Sequence, residues 1–142
     1  MTPAPILWFT GLPASGKTTI SQDLAKVLQA KGHQVQILDG DEFRSATDPQ
    51  LGFTRAERDL NIWRMAYVAS LLAAHGVTVL VAAVSPYLEG RLLARKAAPG
   101  PFIEVWVRAD LGILSERDDR YRRARSGHIP RFTGVSDPYE EP

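Results

Sequence analysis

Gly11-Leu12-Pro13-Ala14-Ser15-Gly16-Lys17-Thr18 has the spacing G-x-x-x-x-G-K-[ST], which holds phosphate groups. Its glycines let backbone N–H groups turn inward around phosphate oxygens, and a helix starting there adds the positive end of its dipole. Lys17 is expected to reach the β- and γ-phosphates of ATP, and the Thr18 hydroxyl to ligate Mg2+. Many phosphate-loop proteins take a second magnesium carboxylate from the end of a later apolar strand. Here Val79-Leu80-Val81-Ala82-Ala83-Val84 ends in Ser85-Pro86-Tyr87, so the carboxylates come from elsewhere, and Asp39 and Asp41 are the obvious source. An acid in that place suits a kinase whose acceptor hydroxyl needs a base. The same three residues read equally well as an acidic turn.

The elements around these residues supply the required setting. Ile6–Thr10 reads as a buried strand leading into the loop. A helix from Thr18 to Lys31 leads out of it, with Ile20, Leu24, Val27 and Leu28 on one face and Gly32 as its stop. Val35–Leu38 is a second strand, followed by a polar loop containing Pro49 and Gly52. Thr54 and Glu57 form a capping box opening a helix to Ala74, with Leu60, Trp63, Tyr67, Val68, Leu71 and Leu72 as its apolar positions. Val77–Val84 is an uninterrupted apolar run, the mark of a strand covered on both faces. A short helix over 88–96, a strand over 102–107 and a helix from Asp110 to about Ser126 complete the regular structure; from His128 the prolines keep the chain irregular. Strands alternating with helices imply a parallel sheet with helices on both faces. Ligands in such folds sit beyond the carboxyl ends of the strands.

The 142 residues carry a net charge of +1 and no cysteine. The length points to one domain, residues 1–142. Balanced charge argues against a nucleic-acid or membrane binder driven by bulk charge. The lack of cysteine excludes disulfides and thiolate chemistry. No apolar run reaches the ~20 residues that span a membrane, and no signal peptide is apparent. The expected location is the cytoplasm.

Taken in order, the motifs resemble the adenylylsulfate kinase family. The resemblance runs through the phosphate loop, Leu38-Asp39-Gly40-Asp41 with Arg44, and Leu51-Gly52-Phe53-Thr54 with Arg58, Asn61, Ile62 and Arg64. It continues in Ser85-Pro86-Tyr87 with Arg91, Phe102-Ile103-Glu104-Val105, Arg117-Asp118, Phe132-Thr133-Gly134 and Asp137-Pro138-Tyr139-Glu140. It implies a three-layer P-loop NTPase fold. It also implies transfer of the ATP γ-phosphate to the 3′-hydroxyl of adenylylsulfate, giving 3′-phosphoadenylylsulfate and ADP. The implied ATP-binding set is Gly11, Leu12, Pro13, Ala14, Ser15, Gly16, Lys17, Thr18, Thr19 and Arg117. Asp41 would act at the acceptor hydroxyl as base or orienter, with Lys17 and Ser85 beside it, and Thr18 and Asp39 would support magnesium. Arg44 and Arg58 would hold the phosphosulfate, Asn61 would add a hydrogen bond, and Phe53 and Phe132 would stack on the adenine; Ser85 and Pro86 complete the acceptor set. For Ser85 the family suggests a phosphoserine, whereas a hydrogen bond to substrate is the simpler role. Such proteins are often dimers, and some are fused with a sulfurylase.

The chain departs from the family in three places. Glu42 stands where the family has Asn. After Arg117-Asp118 a lid motif is shortened to Asp119-Arg120-Tyr121-Arg122-Arg123, leaving five arginines between 117 and 125. These either clamp phosphates or form a solvated face, and a segment so rich in cations is expected to be mobile until an anion binds. The family's last strand and helix are also missing, so four parallel strands are expected. Two other functions fit the motifs less well: a kinase for another hydroxyl-bearing acceptor, and a nucleotide-binding module that no longer catalyses.

Overall fold

The computed structural model describes residues 2–142. Each apolar run forms a strand: β1 (Ile6–Thr10), β2 (Val35–Asp39), β3 (Thr78–Ala82) and β4 (Phe102–Trp106). All pair in parallel, in the order β2-β3-β1-β4. Every position of β3 is buried, as an uninterrupted apolar run demands. Six helices connect and cover the sheet: α1 (Lys17–Ala30), α2 (Gly40–Thr47), α3 (Arg55–Ala74), α4 (Leu88–Ala97), α5 (Leu111–Arg117) and α6 (Arg120–Arg125). On one face, Leu24, Ala25 and Leu28 of α1 pack on Phe9 and Leu80. On the other, Ile62, Met65, Ala66 and Ala69 of α3 and Ala94 of α4 pack on Trp8, Val79 and Val81. The arrangement is the expected α/β one, with helices on both faces of a parallel sheet. No helix among the described residues is long and apolar enough to cross a membrane.

Three local expectations fail, each for a physical reason. The loop expected after Asp41 begins as helix α2, because the Asp39 side chain accepts the N–H groups of Asp41 and Glu42 and so caps it. The single helix expected from Asp110 is two. Asp118 is extended, and its carboxylate takes the Arg120 N–H at 3.0 Å, a local bond that competes with the helical one. Asp110 does occupy the cap position of α5, but without a side-chain capping bond. Finally, Ile20 and Val27 of α1, and Leu60, Trp63, Tyr67 and Leu71 of α3, are exposed. Because α3 is apolar nearly all round, its large side chains do not mark the core face; close approach to the sheet selects Ala66, Ala69 and Ala73 instead.

The irregular segment after α6 is fastened by two buried arginines. Arg58, on the first turns of α3, donates from Nε to the Phe53 carbonyl at 2.7 Å and from Nη2 to Asp137 at 3.0 Å. It also donates to the Thr133 hydroxyl and the Arg131 carbonyl. Arg91 of α4 donates to the Ser85 carbonyl at 2.5 Å and to the Glu140 carbonyl. Its Nε lies 3.3 Å from the Glu104 carboxylate, an ion pair without hydrogen-bond alignment. Glu140 in turn accepts the Leu88 N–H at 3.0 Å at the start of α4, and Tyr139 shares a hydrogen bond with Thr10 at 2.8 Å.

Removing one partner of a buried ionic cluster leaves the other groups unsatisfied, at a cost of about 3 kcal/mol or more. Arg91→Met is therefore expected to lower unfolding free energy by about 3 kcal/mol in urea titration. A loss below about 1 kcal/mol, the worth of an exposed pair, would show that Arg91 is no clasp.

Candidate active site

The phosphate loop is built by residues that tolerate its backbone. Gly11 has φ 155°, and a Cβ there would lie 2.3 Å from the Val107 carbonyl oxygen, so only glycine fits. Gly16, at φ 111°, is the N-cap of α1, whose first turn contains no acid. That helix end thus offers free N–H groups and an uncompensated positive dipole. Lys17 is buried, and its Nζ donates to the Gly11 and Leu12 carbonyls at 2.8 and 3.0 Å. Burial pulls its pKa down to about 8, against the opposing attraction of Asp41 and Asp39. The buried Ser15 hydroxyl has no protein partner. A cation folded back onto loop carbonyls and an orphaned hydroxyl are both groups that a bound phosphate would satisfy.

Thr18 and Asp39 meet across the carboxyl ends of β1 and β2, with Thr18 Oγ1 donating to Asp39 Oδ2 at 3.1 Å. These hard oxygen donors fit Mg2+, which binds few protein groups and fills its shell with water and phosphate oxygens. No group of three His, Cys, Asp or Glu side chains among the described residues could hold a metal by itself. The other Asp39 oxygen caps α2, so the same carboxylate fixes the helix on which Asp41 stands. Asp41 is exposed to the cleft and accepts no bond from a protein side chain.

A cleft of about 420 Å³ joins this half to the one expected for the acceptor. Arg44 hydrogen-bonds the Gly52 carbonyl at 2.6 Å, and its guanidinium lies 4.3 Å over the Phe53 ring. Phe53 is half exposed at the rim. Its loop is pinned by the Glu57 carboxylate, which accepts from the Gly52 N–H at 2.6 Å and the Thr54 hydroxyl at 2.7 Å. Glu57 is thereby held below the usual carboxylate range and serves as a cap rather than a site acid. Across the cleft, Phe132 is buried edge-on against Tyr121, at 4.9 Å and 81°. Asn61 is buried in the wall. Its amide nitrogen has only Met65 sulfur at 3.8 Å, and its amide oxygen has no partner. A larger cavity, about 580 Å³, lies beyond Leu12, but its one cation, Arg108, sits over Trp106 among Asp110, Asp137 and Glu141. The 420 Å³ cleft holds Lys17, Arg44, Arg58, Arg120 and Arg131 against Asp39 and Asp41. Charge therefore assigns anionic ligands to the smaller cavity.

Of the expected residues, Pro13, Ala14, Lys17, Thr18, Asp39, Asp41, Arg44, Phe53, Arg58, Asn61, Ser85, Pro86 and Phe132 all line this cleft. Gly11, Leu12, Ser15 and Gly16 shape the loop behind it. Thr19 is exposed on the first turn of α1, and Arg117 lies outside the cleft, bonded to the Ala14 carbonyl at 3.3 Å. Two expected roles change. Arg58 has four donor bonds to the protein, so one Nη1–H is left for a phosphosulfate. The Ser85 hydroxyl is buried, accepts from Trp8 Nε1 at 2.7 Å and donates to the Ala83 carbonyl at 3.0 Å, with no base beside it. Its φ of 51° makes it a strained corner of the wall. The residues missed are Arg120 and, beside the expected Phe132, Ile129, Pro130, Arg131 and Thr133. Arg120 is clamped by Asp118 at 2.6 Å and lies 5.5 Å over Phe132. The arginine run was a visible signal, but not which member turns inward. Within the lid, Tyr121 is buried and donates to the Pro13 carbonyl at 2.6 Å, and Leu114, Tyr121, Ala124 and Phe132 form one apolar cluster.

Residues 4–142 match the sequence model of the adenylylsulphate kinase family. An adenylyl-sulfate kinase from Deinococcus deserti is 52% identical over 139 residues, covering 96% of this chain and 76% of that protein. One from Chloroflexus aurantiacus is 50% identical over 139 residues, covering 96% of this chain and 74% of its own length. Among solved structures, the Mycobacterium tuberculosis APS kinase in complex with AMPPNP and APS superposes with a TM-score of 0.95 at 40% identity, over 100% of this chain and 85% of that one. A gluconokinase from Sinorhizobium meliloti, 21% identical with a TM-score of 0.58 over 90% of this chain and 68% of its own, shares the fold alone. Motifs, cleft and relatives agree: the chain belongs to the adenylylsulphate kinase family.

Proposed function

We propose that the chain transfers the γ-phosphoryl group of ATP directly to the 3′-hydroxyl of adenylylsulfate, giving 3′-phosphoadenylylsulfate and ADP. One observation carries this reading. A single cleft holds a phosphate loop together with a buried amide oxygen that has no partner, two phenylalanine rings and a set of arginines. The M. tuberculosis relative bound to AMPPNP and APS supports the same pair of ligands here. Lys17 and the N–H groups of the loop hold the β- and γ-phosphates. Mg2+ at Thr18 and Asp39 neutralises phosphate charge when bound. Asp41 accepts the proton of the 3′-hydroxyl as its oxygen bonds to phosphorus and the bridging oxygen leaves with ADP. Arg44, the remaining donor of Arg58, and Asn61 fix the acceptor anion; Phe53 and Phe132 hold its adenine. The reading places the protein in the cytoplasm. The partnership that the resemblance implies, a homodimer or a fusion with a sulfurylase, is part of it.

Incubation with γ-labelled ATP, magnesium and adenylylsulfate is expected to label 3′-phosphoadenylylsulfate. Lys17→Ala is expected to cut that rate by at least about a hundredfold, the usual worth of a preorganised charge at the transferring group. Transfer only to other acceptors, or binding without transfer, would replace this reading with one of the two alternatives.

Ser85→Ala is expected to keep transfer within about tenfold of the parent, since a side chain without a base is a poor nucleophile. No phosphoprotein should accumulate with ATP alone; a phosphoserine at Ser85 would refute direct transfer.

Nucleotide affinity should depend on pH through Lys17. The free amine titrates near 8, and bound phosphate favours its charged form, so binding takes up a proton above that pH. Affinity for an ATP analogue should be level near pH 7 and fall towards about tenfold per pH unit above 8. A flat profile to pH 9.5, or an identical fall in Lys17→Ala, would contradict this.

A further inference from the structure

Four of the five cations that line the cleft are engaged in the free protein. Lys17 donates to the Gly11 and Leu12 carbonyls, Arg44 to the Gly52 carbonyl, Arg58 to Asp137 and Arg120 to Asp118. The fifth, Arg131, is exposed, and among the described residues its guanidinium has neither a hydrogen bond nor an ion pair. Its backbone is strained as well. The non-glycine residues with positive φ are Ala14, Ser85 and Arg131, and all three line this cleft. Backbone strain of this kind collects at functional sites. At φ 53° the Cβ of Arg131 is crowded, where glycine or asparagine would sit more easily. The turn is imposed by Arg58, whose buried guanidinium takes the Arg131 carbonyl. Arg131 is thereby fixed beside Arg58 and next in the chain to the buried Phe132.

The acceptor has one anionic group more than the engaged residues can serve. Adenylylsulfate is charged on its phosphoryl group and again on its terminal sulfuryl group. Against these, Arg58 has a single N–H left, and Arg44 is already bonded to Gly52 and lies over Phe53. Depth separates the two anions. The phosphoryl group is joined to the ribose and suits the buried Arg58, whereas the sulfuryl group is the free end and suits an exposed side chain beside it. A planar guanidinium fork matches two oxygens of such a group. On the basis of the transfer proposed above, we propose that Arg131 pairs with the sulfuryl group of the acceptor. It is then a specificity-determining residue, which separates adenylylsulfate from adenylates that lack a second anion.

Arg131→Asn removes the charge and suits the left-handed backbone, so its melting temperature without ligands should not fall below that of the parent. In transfer assays it is expected to raise KM for adenylylsulfate about tenfold or more, the worth of a charged hydrogen bond. KM for ATP and kcat should stay within about twofold, as for a contact equally strong in ground and transition states. Arg131→Lys, which keeps the charge without the fork, should recover part of the loss. The methyl ester of adenosine 5′-phosphate lacks the sulfuryl group. Its inhibition constant against adenylylsulfate should differ by no more than about twofold between the parent and Arg131→Asn, since one side of the pair is already missing. An unchanged KM for adenylylsulfate in Arg131→Asn overturns the assignment, and so do equal losses for adenylylsulfate and the ester. Absence of transfer by the parent itself overturns the proposed function, and this assignment with it.

Discussion

The acceptor side of the cleft depends on Arg58. Its guanidinium, almost without solvent, joins the first turns of α3 to the Arg131 carbonyl, Thr133 and Asp137. Residues 128–142 have no helix or strand of their own to fix them. A buried charge must have its donors satisfied, and in meeting that demand the irregular segment is placed against the sheet. Phe132 stands in the cleft because its two neighbours are held there. Arg91 does the same for the opposite wall, where the Ser85 and Glu140 carbonyls converge on one buried cation.

The electrostatics of the free cleft are unbalanced. Five cations line the cleft beside two carboxylates, and four of the five have a protein partner, Arg58 through Asp137. Lys17 lies on loop carbonyls, Arg44 on the Phe53 loop, and Arg120 on Asp118. These bonds keep the groups in place, and the carboxylates of Asp118 and Asp137 offset part of the positive charge. Two anionic ligands therefore meet donors that are already positioned, and binding exchanges one set of partners for another.

The strands, their parallel pairing and most of the cleft could be read from the sequence because their signals are local. The lysine at Lys17 acts on its own loop. The capping box of Thr54 and Glu57 is complete within four residues. Helix α2 was hidden because Asp-Gly-Asp satisfies turn and cap rules equally, and only the side-chain bonds of Asp39 decide between them. The buried face of α3 could not be told from its apolar positions, because size is a poor guide where alanines allow the closest packing. The engagement of Arg58 with residues 131–137 and of the Ser85 hydroxyl with Trp8 could not be read at all: these partners lie far along the chain, and no spacing rule connects them.

The ties of Arg58 also bear on the order in which the site comes into being. Its three partners beyond α3 are 73, 75 and 79 positions away in the chain, whereas the phosphate loop closes on carbonyls 5 and 6 positions from Lys17. Contacts between distant parts of a chain form against a larger loss of chain entropy than neighbouring ones. The Lys17 bonds of the nucleotide cradle are thus local, while the acceptor wall exists only once contacts between distant parts of the chain have closed. A chain emerging from the ribosome has made every residue of those loop bonds long before it has made the residues that complete the acceptor wall.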